Sequence, residues 1–242
     1  MLIQHILVPQ GAEYQAVLRG LKRVFPKGDF SPTLASTPRP VVLPIPIGDQ
    51  PVRRSLSHLY STLHSSSGLL LIGLGGSLTP DFQVGDVALL ESAIATCQPD
   101  WAELTCDRGL IDELQVRLGQ SGRRVKGVTC DRLVSIAAEK RQLAEKYGAS
   151  VVEMEGYGVL EYAQENEIAC AIVRVISDDC HHDLPDANGT ISPEGTLRSL
   201  PLAWSMVRQP IAALRLIRGS LQALQMLEQV TAQLFAAEVL DG

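Results

Sequence analysis

Glu153 and Glu155 flank Met154 in the stretch Val151–Gly158, VVEMEGYG. Two β-branched apolar residues precede them, and helix-compatible residues follow as far as Glu167. The pattern predicts a strand end that turns into a helix, with acid groups held at the turn. Parallel α/β proteins bind ligands at such strand-to-helix edges. A carboxylate there accepts hydrogen bonds from two neighbouring sugar hydroxyls, and a thioether packs on the apolar face of a sugar. The plainer reading is a helix N-terminus at which the dipole favours acids. On this stretch alone the two readings stand level.

Two further stretches tip the balance. Ala169–Asp179, ACAIVRVISDD, reads as an apolar strand that carries Arg174 and then runs into Ser177 and Asp178. Gly68–Gly76, GLLLIGLGG, reads as a buried strand followed by a glycine turn, and Ser77–Leu90, SLTPDFQVGDVALL, leads into another strand. Glycines permit positive φ and let backbone N–H groups come close to a ligand oxygen.

EMEG about 20 residues before VRVISD, preceded by GLGGSL and VGDVALL, resembles the purine nucleoside phosphorylase and nucleosidase superfamily. That superfamily includes the nucleosidases of methylthioadenosine and adenosylhomocysteine. The resemblance spans nearly the whole chain and implies cleavage of an N-glycosidic bond. It implies that Asp178 gives a proton toward N7 of the purine, with Ser177 orienting it and Arg174 holding a water or a phosphate. Glu155 would bind the 2′- and 3′-hydroxyls of ribose, and Met154 would pack beneath the sugar, with Glu153 in the same binding wall. Gly75 and Gly76 would lie beside the ribose and the nucleophile. Leu133 and Val134 would form the wall under the base, where the family places a stacking aromatic; here the wall is apolar without a π-stack. Glu13 follows the first strand by the same short step as the glutamate that activates water in the nucleosidases; a first-turn acid on a surface helix is the alternative. An aspartate of ordinary acidity is ionised at neutral pH, so Asp178 must be buried or paired to keep a proton.

Leu74 departs from the pattern, because some members carry a hydroxyl residue there. A direct anion contact is lost, and with Glu13 retained the expectation leans to water over phosphate as nucleophile. No metal and no cofactor are expected, phosphate being a co-substrate only in the phosphorylase variant. The run Asp179-Cys180-His181-His182-Asp183 has metal-ligating residue types, but adjacent ligands do not easily share one ion, and it reads as a polar loop.

From about Val151 to Leu227 a narrower likeness holds. VRVISDDCHHDLPD, then PEG, then RQPIAALRLIRGSLQAL, resembles the hopanoid-associated phosphorylases, which remove adenine from a nucleoside attached to a polycyclic lipid. The partner is then a lipid-linked purine nucleoside, with a small thionucleoside as the second candidate. A non-catalytic nucleoside-binding or storage protein of the same fold is the reading from another class. Loss of the aspartate or of the Glu-Met-Glu triplet would mark it, and both are present.

The elements that must hold these residues follow from the rest of the pattern. The 242 residues have 45% hydrophobic and 20% charged side chains, a net charge of −6 and a pI near 5.4. No basic stripe marks a nucleic-acid footprint. Cysteines 97, 106, 130, 170 and 180 are odd in number and widely spaced, which argues against a disulfide framework and for a reducing, cytoplasmic setting. No apolar run is long enough for a membrane span, and MLIQHILVPQ reads as a first strand and not as a signal peptide.

Leu2–Val8 is that strand, and Gly11–Val24 a helix. Pro26–Pro40 is a loop, and Pro38–Ile47 an edge strand, since proline is poor in central ones. Pro51–Leu63 is a helix with Leu56, Leu59, Tyr60 and Leu63 on one face and Arg53 and Arg54 at a solvated start. Ala102–Leu118 is an amphipathic helix, Arg123–Thr129 a strand, and Ile136–Tyr147 a helix closed by Gly148. Asp183–Gly195 has turn signals and could fold over the site as a lid. Residues 197–240 form a helical tail, with Pro210 at a first helical position and Ile211, Leu214, Ile217, Leu221, Leu224 and Leu227 in one stripe. That stripe is expected in the core or at a subunit contact, with a peripheral membrane contact as the alternative. The fold class expected is α/β: one domain over 1–242 with a central mixed, partly closed sheet flanked by helices. The superfamily resemblance implies the same fold, and homo-oligomers, often dimers.

Overall fold

The computed structural model describes residues 3–26, 39–59, 68–97, 102–186 and 189–236. Eight strands share one sheet: β1 (Ile3–Pro9), β2 (Val41–Ile45), β3 (Gly68–Ser77), β4 (Val87–Ala95), β5 (Glu103–Thr105), β6 (Gly122–Thr129), β7 (Val151–Glu153) and β8 (Cys170–Asp178). Their order is β2-β1-β3-β7-β6-β4-β5, and β8 pairs with both β3 and β4. That double pairing closes β3, β8, β4, β6 and β7 into a ring, while β1 and β2 extend from β3 as a parallel wing. The pairings are mixed: β3 with β8 is parallel, β4 with β8 antiparallel. The expected mixed, partly closed sheet is what forms.

Strands covered on both faces read as continuous apolar runs, which explains Leu69–Ile72 and Ala171–Val173, all buried to within 1%. Helices α1 (Ala12–Val24), α2 (Asp49–Leu59), α3 (Arg108–Leu118), α4 (Ala137–Tyr147), α5 (Gly156–Glu165), α6 (Ser199–Arg208) and α7 (Pro210–Ala236) cover this core. Gly148 ends α4 in the left-handed region at φ 61°, where a residue without a Cβ carries no strain. Gly20 lets α1 and α7 touch: a Cβ there would lie 2.8 Å from Thr231 Cβ. All five cysteines are free.

Several expectations need correction. Ala102–Leu118 is not one helix. Glu103–Thr105 pair with β4 as a strand, and Asp107 then caps α3 by accepting a hydrogen bond from Leu110 N–H at 2.8 Å. The glycine turn after Gly68 does not exist either, because β3 continues through Gly75 and Gly76 to Ser77. Arg53 does not sit at a solvated helix start; it is half-buried, paired with Asp49 and Glu161, and stacked over Tyr157. The α7 stripe divides. Ala223, Leu227, Val230 and Leu234 are in the core, whereas Ile211, Leu214, Ile217 and Leu221 are 43–75% exposed. Residues 27–38 of the expected loop, Tyr60 and Leu63 of the α2 face, and 237–240 of the tail lie outside the described residues.

Candidate active site

The strand ends of the ring converge on a cavity of about 280 Å³ lined by Glu13, Gly75, Gly76, Glu153, Met154, Glu155, Ser177 and Asp178, with Leu133 and Val134 on its apolar side. Ten of the eleven residues singled out from the sequence line this one space; Arg174 stands directly behind it.

The glycines of β3 make the arrangement fit. A Cβ on Gly73 would collide with Glu13 Oε2 and, at 2.6 Å, with Arg174 Nη1. A Cβ on Gly76 would lie 2.7 Å from Asp178 Oδ2, and one on Gly75 3.1 Å from the carbonyl of Val152. None of the three has positive φ. Their use is the missing side chain, which lets charged groups from neighbouring elements reach the strand. The N–H of Leu74 donates to Glu13 Oε2 at 2.7 Å, so it supports the acid.

Arg174 is fully buried in β8, and its guanidinium collects carboxylates. Nη2 contacts Glu153 Oε2 and donates to Glu155 Oε2 at 3.0 Å. Glu153 is engaged on both oxygens. Oε1 takes the Thr129 hydroxyl, and Oε2 accepts from the N–H groups of Glu155 at 3.0 Å and Gly156 at 2.6 Å. Glu153 therefore anchors the start of α5 and the guanidinium. Glu155 accepts from Gly48 N–H at 3.0 Å, and it reaches the cavity together with Met154.

Burial raises Glu13 above the ordinary carboxylate range, against the pull of Arg174 and the Leu74 N–H. Burial also raises Glu155, to about 7; Arg174 opposes the shift, and Glu153 and Glu13 add to it. Burial alone would lower Arg174, but Glu153, Glu155 and Glu13 outweigh it and hold the guanidinium charged. Three carboxylates around one cation leave uncompensated negative charge if all ionise. A low-dielectric pocket resists that, so a proton is retained among them.

Asp178 ends β8 on another wall. Ser177 Oγ lies 2.7 Å from its Oδ1 and 3.3 Å from the Gly75 carbonyl. Its Oδ2 meets Lys140 Nζ from α4. Of the segment Asp183–Gly195, Thr190 and Ile191 line the cavity, as does Leu197 beyond it, and Gly195 O accepts from Ile47 N–H at 2.9 Å; residues 187–188 lie outside the described residues. Sequence reasoning missed Lys140, Thr129 and Leu216. Lys140 sits in AAEKRQLAEKY among other charged helix residues, and nothing local marks it. Among the described residues no His, Cys, Asp and Glu side chains group as a metal site.

A closed ring of strands with a pocket of acids and apolar side chains at the strand ends defines an α/β protein built to hold a small polar molecule with an apolar face. The sequence model of the phosphorylase superfamily matches residues 36–195, and the chain belongs to that family. No curated protein matches the sequence closely enough to count as a relative. Among solved structures it is similar to the Helicobacter pylori 5′-methylthioadenosine/S-adenosylhomocysteine nucleosidase with butyl-thio-DADMe-Immucillin-A, at 16% identity and a TM-score of 0.67 over 100% of both chains. Futalosine hydrolase of Helicobacter pylori gives the same identity and TM-score over 100% of this chain and 99% of that one. The Neisseria meningitidis nucleosidase with methylthio-immucillin-A gives 15% and 0.66 over 98% of this chain and 100% of that one. Similarity at this level speaks for the fold.

Proposed function

We propose that the protein cleaves the N-glycosidic bond of an adenine nucleoside, with water as the nucleophile. The observation that carries this reading is the placement of Glu13 and Asp178 along β3. Glu13 reaches the strand at Gly73 and Asp178 at Gly76, roughly 10 Å apart at the usual rise per residue. A nucleoside bridges that span with its sugar at the glutamates and its base at Asp178.

Bond cleavage sends the electron pair of the C1′–N bond onto the base and leaves positive charge on the ribose. Asp178 gives its proton to N7 of the leaving base, while Glu155 takes hydrogen bonds from the ribose hydroxyls beside the developing cation. Glu13, as the carboxylate, removes a proton from the water that adds to C1′. Arg174 Nη2 is taken up by Glu153 and Glu155, and Leu74 offers no hydroxyl. Both favour water over a phosphate dianion, which would stand beside buried acids.

The substrate we favour carries an apolar 5′ substituent, a hopanoid-linked adenosine being the chemical type. Leu197 and Leu216 stand at the cavity. Leu200, Trp204 and Val207 of α6, the helix after Leu197, and Ile211, Leu214 and Ile217 of α7, the helix of Leu216, are exposed apolar side chains. No helix among the described residues is long and apolar enough to cross a membrane. In this reading the substrate is met at a lipid surface on the cytoplasmic side, by the chain alone or as a homodimer.

Adenine release from adenosine, methylthioadenosine and a lipid-linked adenosine, each with and without phosphate, tests the reading. Release without phosphate, strongest for the lipid-linked substrate and lost in Asp178→Asn, is expected. Release only with phosphate would make the protein a phosphorylase and remove Glu13 as base. Preference for methylthioadenosine would point to the small thionucleoside. Binding without release would make it a nucleoside-binding protein.

A further inference from the structure

Lys140 has no part in the scheme above, yet it is among the largest fully buried side chains of the protein. It projects from α4, with 0% of its side chain exposed, and its ammonium contacts Asp178 Oδ2. It also donates to the carbonyl of Asp179 at 2.8 Å. The other charged groups here face elsewhere. Asp179 binds His182 Nδ1 at 3.0 Å, Arg141 donates to the Cys180 carbonyl at 3.0 Å, and Asp183 accepts from the N–H of Ala137 at 2.8 Å. Lys140 is therefore the cation that meets the Asp178 carboxyl group. A buried ammonium is costly to desolvate.

We propose that Lys140 is a positioning residue that makes Asp178 an effective proton donor to the leaving base. This rests on the nucleosidase reading above. The two oxygens of Asp178 have different partners. Ser177 Oγ has one hydrogen. In the structure it donates to Asp178 Oδ1 at 2.7 Å; when Asp178 carries a proton, the hydroxyl turns its hydrogen to the Gly75 carbonyl at 3.3 Å and its lone pair accepts the acid proton, which keeps the neutral acid in place. As C1′–N breaks, that proton passes to the base nitrogen, the bonding pair stays on the base, and Asp178 becomes a carboxylate. The negative charge then forms against an ammonium that is already oriented and shielded from water, where a fixed charge acts most strongly on the transition state. Lys140 keeps its own protons throughout and fixes the plane of the carboxyl group.

The test compares two leaving groups. Adenine needs a proton as it leaves; p-nitrophenolate, from p-nitrophenyl β-D-riboside, does not. Lys140→Met and Lys140→Gln should each lower kcat on adenosine by at least about tenfold, a fraction of what general acid catalysis contributes. Both should leave kcat on the p-nitrophenyl riboside, and KM on either substrate, within about twofold. Asp178→Asn should show the same selectivity with a larger loss. Equal losses on both substrates, no loss on adenosine, or failure of both variants to fold would overturn the proposal and leave Lys140 as a structural ion pair. If the wild-type protein releases nothing from either substrate, the nucleosidase reading itself fails, and the variants are not what shows it.

Discussion

Arg174 and Lys140 are both fully buried cations that stand beside acids of the cavity, on different walls, and their surroundings differ in charge count. Arg174 faces Glu153, Glu155 and, more remotely, Glu13. Lys140 faces Asp178 alone. The first cluster carries more acid than base: burial raises Glu13 and Glu155, the neighbouring acids add to the rise at Glu155, and the cluster keeps a proton. The second has one acid to one base, and its ammonium is poised to meet the negative charge that Asp178 takes on as it gives up its proton. Both are built by residues that leave space, glycines on β3, and the difference suits opposite tasks. A surplus of acid serves the sugar side, where positive charge develops and a water must lose a proton. A matched pair serves the base side, where negative charge must be neutralised.

The largest effect expected comes from breaking the acid on the base side. Asp178→Asn should lower adenine release by about 10²–10⁴-fold and should leave the p-nitrophenyl riboside nearly untouched. On the sugar side, Glu13→Gln should slow both substrates, because water attack is common to them. A loss at Glu13 confined to adenosine would erase the division of labour between the two clusters.

Removing a cation should separate the clusters by stability. Arg174→Met leaves Glu153 and Glu155 buried without their partner, which costs about 3–5 kcal/mol when an ion pair is broken from one side. Chemical denaturation at pH 7 measures it, and the loss should shrink in acid as the glutamates take up protons.

Glu155 gives the next effect. Its folded-state value of about 7 lies above the ordinary 4.5, so the folded protein binds this proton more tightly than the unfolded chain does. The contribution is fully present below the unfolded value and is lost as pH rises through about 7. At 1.36 kcal/mol per unit it amounts to roughly 3 kcal/mol. Denaturant midpoints measured from pH 4 to pH 8 should fall over that window in the wild-type protein, and Glu155→Gln should flatten the slope. A slope unchanged in the variant would place the retained proton on Glu13, which burial raises in the same direction.

How much of this the sequence disclosed depended on whether a residue's partners were close in the chain. Glu153, Met154 and Glu155 were legible because a strand end and a helix start are local patterns, and Ser177-Asp178 because an apolar run ends in polar groups. The ring was only half legible. Alternation and length predicted strands, but nothing in ACAIVRVISDD says that β8 pairs with β4 on its other edge. The glycines of β3 were seen and misread, since a turn and a close approach leave the same letters. Lys140 was invisible, because its partner is 38 positions away and its helix looks solvated from the sequence. The division of the α7 stripe into a covered and an exposed half was not legible for a related reason. Periodicity identifies an apolar face, but only the packing of α1 and β8 decides which half of a 27-residue helix is covered.

The smallest expected effects sharpen the comparison most, because they touch hydroxyls and no charges. Thr129 Oγ donates to Glu153 and accepts from the N–H of Tyr157 at 2.9 Å. Ser177 Oγ sits between Gly75 and Asp178. Each exchange, Thr129→Val or Ser177→Ala, removes hydrogen bonds worth about 1 kcal/mol apiece. Thr129 anchors the start of α5 through Glu153, so Thr129→Val should lower the denaturation midpoint and slow both substrates alike. Ser177 holds the acid proton, so Ser177→Ala should slow adenosine by less than about tenfold and leave the p-nitrophenyl riboside unchanged. Stability and leaving-group dependence, measured on the same two preparations, would then move independently. If Ser177→Ala instead behaves like Thr129→Val, the hydroxyl only ties β8 to β3, and the base-side wall is held by Lys140 alone.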